Sequence, residues 1–160
     1  MIIIGIDPGL TGAVFFIEND GPLVADTPTI VMAKSSGKGK KTDYLPADMA
    51  KLLRDYAPLN CHVFIEKIGA MPGQGVTSMF GFGKGYGLWI GILAALEIPY
   101  TFVTPQAWKK VMMSGMADKD AARLRAQELW PSKSHLFARK KDIGRADAAL
   151  IAEYGRRTMK

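Results

Sequence analysis

The chain has 160 residues, 48% of them hydrophobic and 22% charged, which suits one globular domain with a sizeable core and excludes a disordered or collagen-like polypeptide. With 21 Lys and Arg against 15 Asp and Glu it carries a net charge of +6, and a pI of about 9.5 favours a polyanionic partner. A single cysteine, Cys61, excludes an intrachain disulfide, and only two histidines stand beside it, which argues against a structural zinc site.

Ile2 to Ile6 reads as a buried strand rich in β-branched residues, Pro8-Gly9 as a turn, and Ala13 to Ile17 as a second strand, so the chain opens on a hairpin. Asp7 ends the first strand, where a carboxylate needs an arginine, backbone N–H groups or a cation to offset its charge. The chain enters this strand without the basic lead-in of a signal peptide, and the most apolar window, Leu88 to Leu96, is too short to span a bilayer. A cytoplasmic protein with no membrane partner is the expectation. Leu23 to Ala33 supplies a third strand, broken by Pro28. KSSGKGKK, residues 34–41, reads as a mobile basic loop.

Tyr44 to Tyr56 has apolar residues at helical spacing with Pro46 near its start, and Cys61 to Ile65 is a short buried strand ending in Glu66. Val76 to Leu96 reads as a long helix in which Gly83, Gly87 and Gly91 recur every fourth residue. Each glycine costs a helix about 1 kcal/mol relative to alanine, so the row points to tight packing or a ligand against that face. Tyr100 to Val103 is a strand, Pro105 to Met112 a short helix, and Asp118 to Trp130 an amphipathic helix. Residues 131–143 form a basic loop, and Gly144 to Arg157 the last helix. Strands first, then helices alternating with strands, fit one α/β domain with a mixed sheet.

Asp7 and Glu66 each end an apolar strand and precede a glycine-containing loop; in open α/β sheets functional groups gather at such strand ends. Asp147 shares the buried stripe of the last helix with Leu150, Ile151 and Tyr154, a local rule broken in the way functional residues break it. Asp142, just before that helix, reads equally as a cap, a solvated charge or a fourth member of the set. Four carboxylates without sulfur or imidazole suit a hard cation such as Mg²⁺. A pair of such ions can activate water and stabilise the leaving oxygen in phosphodiester cleavage.

GIDPGLTGA, VFIEKIGAMPGQG, VTPQAWKK and GRADAALIAEYGRR, in this order over essentially the whole chain, resemble the RuvC-type Holliday junction resolvases, with the phage-like branch nearest. The resemblance implies an RNase H-like fold with a mixed central sheet flanked by helices, a single domain over residues 1–160. It implies a homodimer that resolves four-way or branched DNA by paired symmetric nicks, with two Mg²⁺ ions per site and Mn²⁺ as an alternative. It places the acidic positions on Asp7, Glu66 and Asp147. The family carries another Asp or His about one helical turn before the last Asp, where this chain has Gly144, and Asp142 is the nearest acid. Lys109 and Lys119 fall on the family's basic positions.

The remaining DNA contacts are expected from Lys38, Lys40 and Lys41 in the flexible loop, and from Arg139, Lys140, Lys141 and Arg145 around the acidic set. Met71, Phe80 and Phe82 are candidate wedges at an unstacked junction centre, and Gln74 and Lys84 are placed to reach DNA. GIDPG also occurs in actin-like ATPases, but 160 residues supply one lobe and no second phosphate loop, so no nucleotide cofactor is expected. Two alternatives stay open: a junction-binding module without catalysis, and an RNase H-like nuclease acting on RNA-containing substrates.

Overall fold

The computed structural model describes residues 1–18, 21–35, 37–70, 73, 75–116 and 120–159. In chain order the elements are β1 (Ile2–Asp7), β2 (Ala13–Ile17), β3 (Leu23–Asp26), β4 (Thr29–Ala33), β5 (Lys40–Tyr44), α1 (Pro46–Tyr56), β6 (Cys61–Glu66), α2 (Val76–Ala95), β7 (Tyr100–Val103), α3 (Pro105–Met112) and α4 (Ala121–Leu129). Two 3₁₀ segments, Pro131–Phe137 and Lys140–Asp142, lead into α5 (Ile143–Thr158).

Five strands form one mixed sheet in the order β3-β2-β1-β6-β7. β1 to β3 run antiparallel as a meander, while β6 and β7 join the other side of β1 in parallel. Both faces are covered, which is why the central strands read as nearly unbroken apolar runs. The alternation of side chains along each strand sorts them between two cores. Ile3, Phe15 and Phe64 share a core with Trp108 of α3, Ala122 and Ala126 of α4, Leu150 and Ile151 of α5, and Phe137 of the first 3₁₀ segment. Ile4, Ile6, Val14, Phe16, Val63 and Ile65 meet α1 and α2 through Met49, Leu53, Trp89 and Leu93.

The segment read as one strand broken at Pro28 is two strands in two sheets. β3 edges the main sheet, whereas β4 pairs with β5 in a separate two-stranded ribbon. Lys40 and Lys41, expected in a loop, lie in β5 and pair with Ala33 and Met32. The glycine row on α2 also differs from expectation. A Cβ added at Gly83, Gly87 or Gly91 would meet nothing within 4 Å, whereas one at Gly85 would strike the Tyr44 hydroxyl and lie 2.8 Å from the Pro8 carbonyl oxygen. The close approach within this chain is therefore at Gly85 alone among these four, and the row itself faces outward. Phe80 and Phe82 are exposed rather than core, while Trp89 and Trp108 are fully buried. Among the described residues no helix is long and apolar enough to cross a membrane.

Candidate functional site

The parallel pairing of β1 with β6 sets Ile6 beside Ile65, so Asp7 and Glu66 emerge from neighbouring strands at the same edge of the sheet. α5 brings the third carboxylate. It lies so close on β1 that a Cβ at Gly5 would collide with the Ala148 carbonyl oxygen and lie 2.5 Å from the Ala152 nitrogen. At its start, a Cβ on Gly144 would collide with the Thr11 carbonyl oxygen and lie 2.9 Å from the Gly12 Cα. These contacts seat the first turn of α5 on the β1–β2 turn, and Asp147 follows one turn further on. Because α5 begins at Ile143, Asp147 lies beyond the first helical turn, where the helix dipole acts on it only weakly.

Asp7 and Asp147 are pushed up from the ordinary carboxylate value of 3.8 to about 7. For Asp7 the larger cause is burial and the next is the charge of Glu66; for Asp147 it is burial and then the charge of Asp7, with Glu66 adding to it. Lys109 pulls both downward, and the Gly9 N–H donates a long hydrogen bond of 3.4 Å to Asp7 Oδ1.

Glu66 is oriented by α3. Thr104 caps that helix, its hydroxyl accepting from the Ala107 N–H at 3.2 Å, and Pro105 fixes the first turn. The cap aims Trp108 into the core, where its indole Nε1 donates to Glu66 Oε1 at 2.8 Å. Lys109, the next residue, stays exposed, its Nζ 5.2 Å from the Trp108 ring centre. VTPQAWKK thus builds a cap, a buried orienting donor and a cation in one short helix. Trp108 is a core residue, and its hydrogen bond has no signal in the sequence pattern.

Asp142 is not drawn into this group. It is 1% exposed, and its carboxylate accepts from the Arg139 backbone N–H at 2.8 Å and from the Arg139 guanidinium at 2.8–3.1 Å. Arg145 lies 3.8 Å away. Burial pushes its pKa up, but the Arg139 hydrogen bonds and the two arginine charges outweigh that and hold it below the ordinary value. Gly144 carries no side chain, and the backbone packed against it leaves no room for one.

The basic residues divide in two. Lys38, Lys40 and Lys41 are exposed on the ribbon and its turn, and Lys140 and Lys141 are exposed beside Asp142. Lys41 also lies 3.8 Å from Asp43, and three others are engaged: Lys84 with the same Asp43, Arg145 with Asp26 at 2.5–2.7 Å, and Arg139 with Asp142. The Arg145–Asp26 and Lys84–Asp43 pairs have no signal in the sequence, because their partners lie 119 and 41 residues apart along the chain. Met71, Gln74 and Lys119 lie outside the described residues.

No group of three or more His, Cys, Asp or Glu side chains is arranged to hold a metal ion among the described residues. The donor chemistry of Asp7, Glu66 and Asp147 nevertheless fits a hard cation: they are oxygen ligands only, and burial and mutual charge leave two of them near neutrality, a cost that a divalent ion relieves.

With this geometry in place, the chain can be set beside known proteins. RuvC of T. thermophilus in complex with a Holliday junction substrate superposes over 99% of this chain and 97% of its own, with a TM-score of 0.59 and 15% identity. A second Thermus thermophilus RuvC structure matches over 100% of this chain and 98% of its own, with a TM-score of 0.57 and 16% identity. The chain has the RuvC fold. RuvC is RNase H-like, with a mixed central sheet flanked by helices, as the strand order here requires. In sequence, the chain is 29% identical over 98 residues, 61% of its length, to the chloroplastic Holliday junction resolvase MOC1 of Chlamydomonas reinhardtii. The match spans 11% of the length of that relative. No protein-family model matches. The resemblance to RuvC-type resolvases thus stands on sequence similarity to a junction resolvase and on the RuvC fold.

Proposed function

We propose that residues 1–160 act as one nuclease domain that cuts four-way or branched DNA. The observation that carries the reading is the convergence of Asp7, Glu66 and Asp147 from β1, β6 and α5, at one edge of a RuvC-like sheet, with two of the carboxyls raised to about 7. These three residues would hold divalent cations, Mg²⁺ with Mn²⁺ as an alternative and two to a site, which neutralise the carboxylates and polarise a phosphodiester toward water. The products are 5′-phosphate and 3′-hydroxyl ends.

The chain's own side chains do the rest. Trp108 holds Glu66 in one orientation, and Lys109 offsets charge at Asp7 and Asp147. Exposed Lys38, Lys40, Lys41, Lys140 and Lys141 attract the polyanion that the carboxylates repel. Arg139 and Arg145 reach DNA only by exchanging Asp142 and Asp26 for phosphate, and Lys84 only by exchanging Asp43. Met71, Gln74 and Lys119 remain contacts in this reading on the strength of the sequence.

A homodimer with two sites would give paired nicks on symmetric strands. Its support is the outward face of α2, where exposed Val76 and Phe80 are followed by glycines with open space beside them. A cytoplasmic site of action, supported by the single free Cys61, and a phage-like origin, supported by the four motifs, belong to the same proposal.

The test compares a labelled four-way junction, a linear duplex and an RNA–DNA hybrid in Mg²⁺ and in EDTA. Nicks on the junction alone, lost in EDTA, are expected. Tight junction binding without cutting would favour the shape-recognition module, and cutting of the hybrid alone would favour the RNA-directed reading.

A further inference from the structure

A second set of charges borders the carboxylate group and belongs to no part of it. The register of the sheet sets Asp7 opposite Ala13 and Ala13 opposite Asp26, so Asp26 ends β3 at the same edge of the sheet, about 10 Å or two strand spacings from Asp7. Beside Asp26 opens a cavity of about 220 Å³, lined by Thr11 and Gly12 of the β1–β2 turn, by Asp26 and Thr29 from the end of β3 and the start of β4, and by Lys141 and Asp142 just before α5. The Thr27 N–H donates to the Gly12 carbonyl at 2.9 Å, which ties this end of β3 to the turn that follows Asp7. Arg145 reaches Asp26 from α5: its Nε and Nη2 donate to the two carboxylate oxygens at 2.5 and 2.7 Å, and its Nη1 lies 3.8 Å from Asp142 Oδ1.

The fork that Arg145 offers Asp26 is the one an arginine offers a phosphate, two parallel N–H bonds to two oxygens of one anion. The two partners are unequal. The Arg145 side chain is 20% exposed and also faces Asp142, whereas the Asp26 side chain is 63% exposed and free to turn into water. An ion pair open to solvent adds little to folding, so exchanging it costs little. The surrounding charge favours an incoming anion. Arg139, Lys141 and Arg145 stand against Asp26 and Asp142, and Asp142 already accepts from Arg139. With Asp26 turned away, three cations face one carboxylate. Thr11 and Thr29 on the lining carry hydroxyls that can donate to phosphate oxygens. Resting on the nuclease reading above, we propose that this cavity is a subsite for a backbone phosphate beside the cut, and that Asp26 holds Arg145 in the phosphate's place until DNA displaces it. Asp26 is then a built-in competitor, and a strand gains Arg145 only by bringing a phosphate into the cavity.

The experiment maps the wild-type cut in Mg²⁺, then replaces each phosphate flanking it in turn by an uncharged methylphosphonate. Junction affinity is measured in Ca²⁺ for wild type, Asp26→Asn, Arg145→Met and the double variant, with thermal unfolding as the check on folding. One methylphosphonate position should weaken wild-type binding about tenfold, as the loss of a charge-assisted arginine fork does. Asp26→Asn should bind the intact junction about threefold to fivefold more tightly, the range of a solvent-exposed ion pair that no longer competes. Arg145→Met should weaken the intact junction about tenfold and lose sensitivity to that methylphosphonate. In the Arg145→Met background, Asp26→Asn should bring no gain. The wild-type scan and Asp26→Asn carry the test even where Arg145→Met fails to fold. Three results would overturn the subsite while wild-type cleavage leaves the nuclease reading intact: equal affinity for the intact and every methylphosphonate junction, no tighter binding by Asp26→Asn, or a gain from Asp26→Asn that persists in Arg145→Met, as general charge repulsion would give. A wild type that cuts no junction with any divalent cation would overturn both.

Discussion

Trp108 is the side chain whose contribution can be isolated most cleanly. Its indole N–H reaches Glu66 from a fully buried ring, and Trp108→Phe removes that bond while leaving most of the packing. Groups that orient a metal-binding carboxylate typically matter by 10- to 100-fold in metal affinity. Trp108→Phe should therefore raise the Mg²⁺ concentration for half-maximal cleavage about tenfold, with junction affinity in Ca²⁺ unchanged. A loss of stability with an unchanged Mg²⁺ midpoint would make the indole a packing residue only. Asp7 and Asp147 give a pH dependence of definite sign. Their folded pKa values, about 7, lie above the ordinary 3.8, so the folded state binds these protons more tightly than the unfolded chain does. Their contribution to stability is complete below about pH 4 and is lost as pH rises through 7. In chelator the thermal midpoint should fall from pH 6 to pH 8. Added Mg²⁺ should raise it more at pH 8 than at pH 6, and a difference of about 1 kcal/mol would register as about 2–4 °C. An equal gain at both pH values would mean that the cation does not bind these carboxylates.

The strands and helices that carry the site were legible because their signals are local. β1, β2 and β6 are β-branched or aromatic runs closed by Pro-Gly or by an acid before glycine, and VTP declares a capped helix start. The pairing of Asp142 was not legible, since it depends on which way two arginine side chains turn. The clue in hindsight is an acid with arginines three residues before and three after it. The glycine row on α2 misled for another reason: periodicity reveals a face without saying whether the chain itself covers it. Gly144 shows the opposite case, a glycine whose purpose is visible only in three dimensions. Gly144→Ala puts a methyl group against the Thr11 carbonyl and 2.9 Å from the Gly12 Cα, backbone atoms that have no rotamer escape. It should cost about 1–3 kcal/mol, read from denaturant unfolding, as overpacking does, and it should lower cleavage by displacing Asp147 from Asp7. A variant as stable and as active as wild type would show that α5 is not seated by this contact.

Across the molecule, charge is arranged in opposition: a half-buried acidic group at the sheet edge, exposed lysines on the ribbon and beside Asp142, and arginines engaged by Asp26 and Asp142. Lys140 belongs to the exposed set. Lys140→Ala should weaken binding to junction and duplex alike and reduce the salt slope by about 1; a change in cleavage rate alone would move Lys140 into the site. The overall reading rests on the carboxylates, and one comparison tests it most directly. Cleavage of a labelled four-way junction in Mg²⁺ is measured for wild type, Asp7→Asn and Asp142→Asn, with junction binding measured in Ca²⁺ as the control for folding. The account predicts symmetric paired nicks by wild type, none by Asp7→Asn despite retained binding, and nicks at a near wild-type rate by Asp142→Asn in spite of a stability loss of about 1–3 kcal/mol from its lost arginine hydrogen bonds. Normal cutting by Asp7→Asn, or abolition by Asp142→Asn with folding and binding intact, would contradict it.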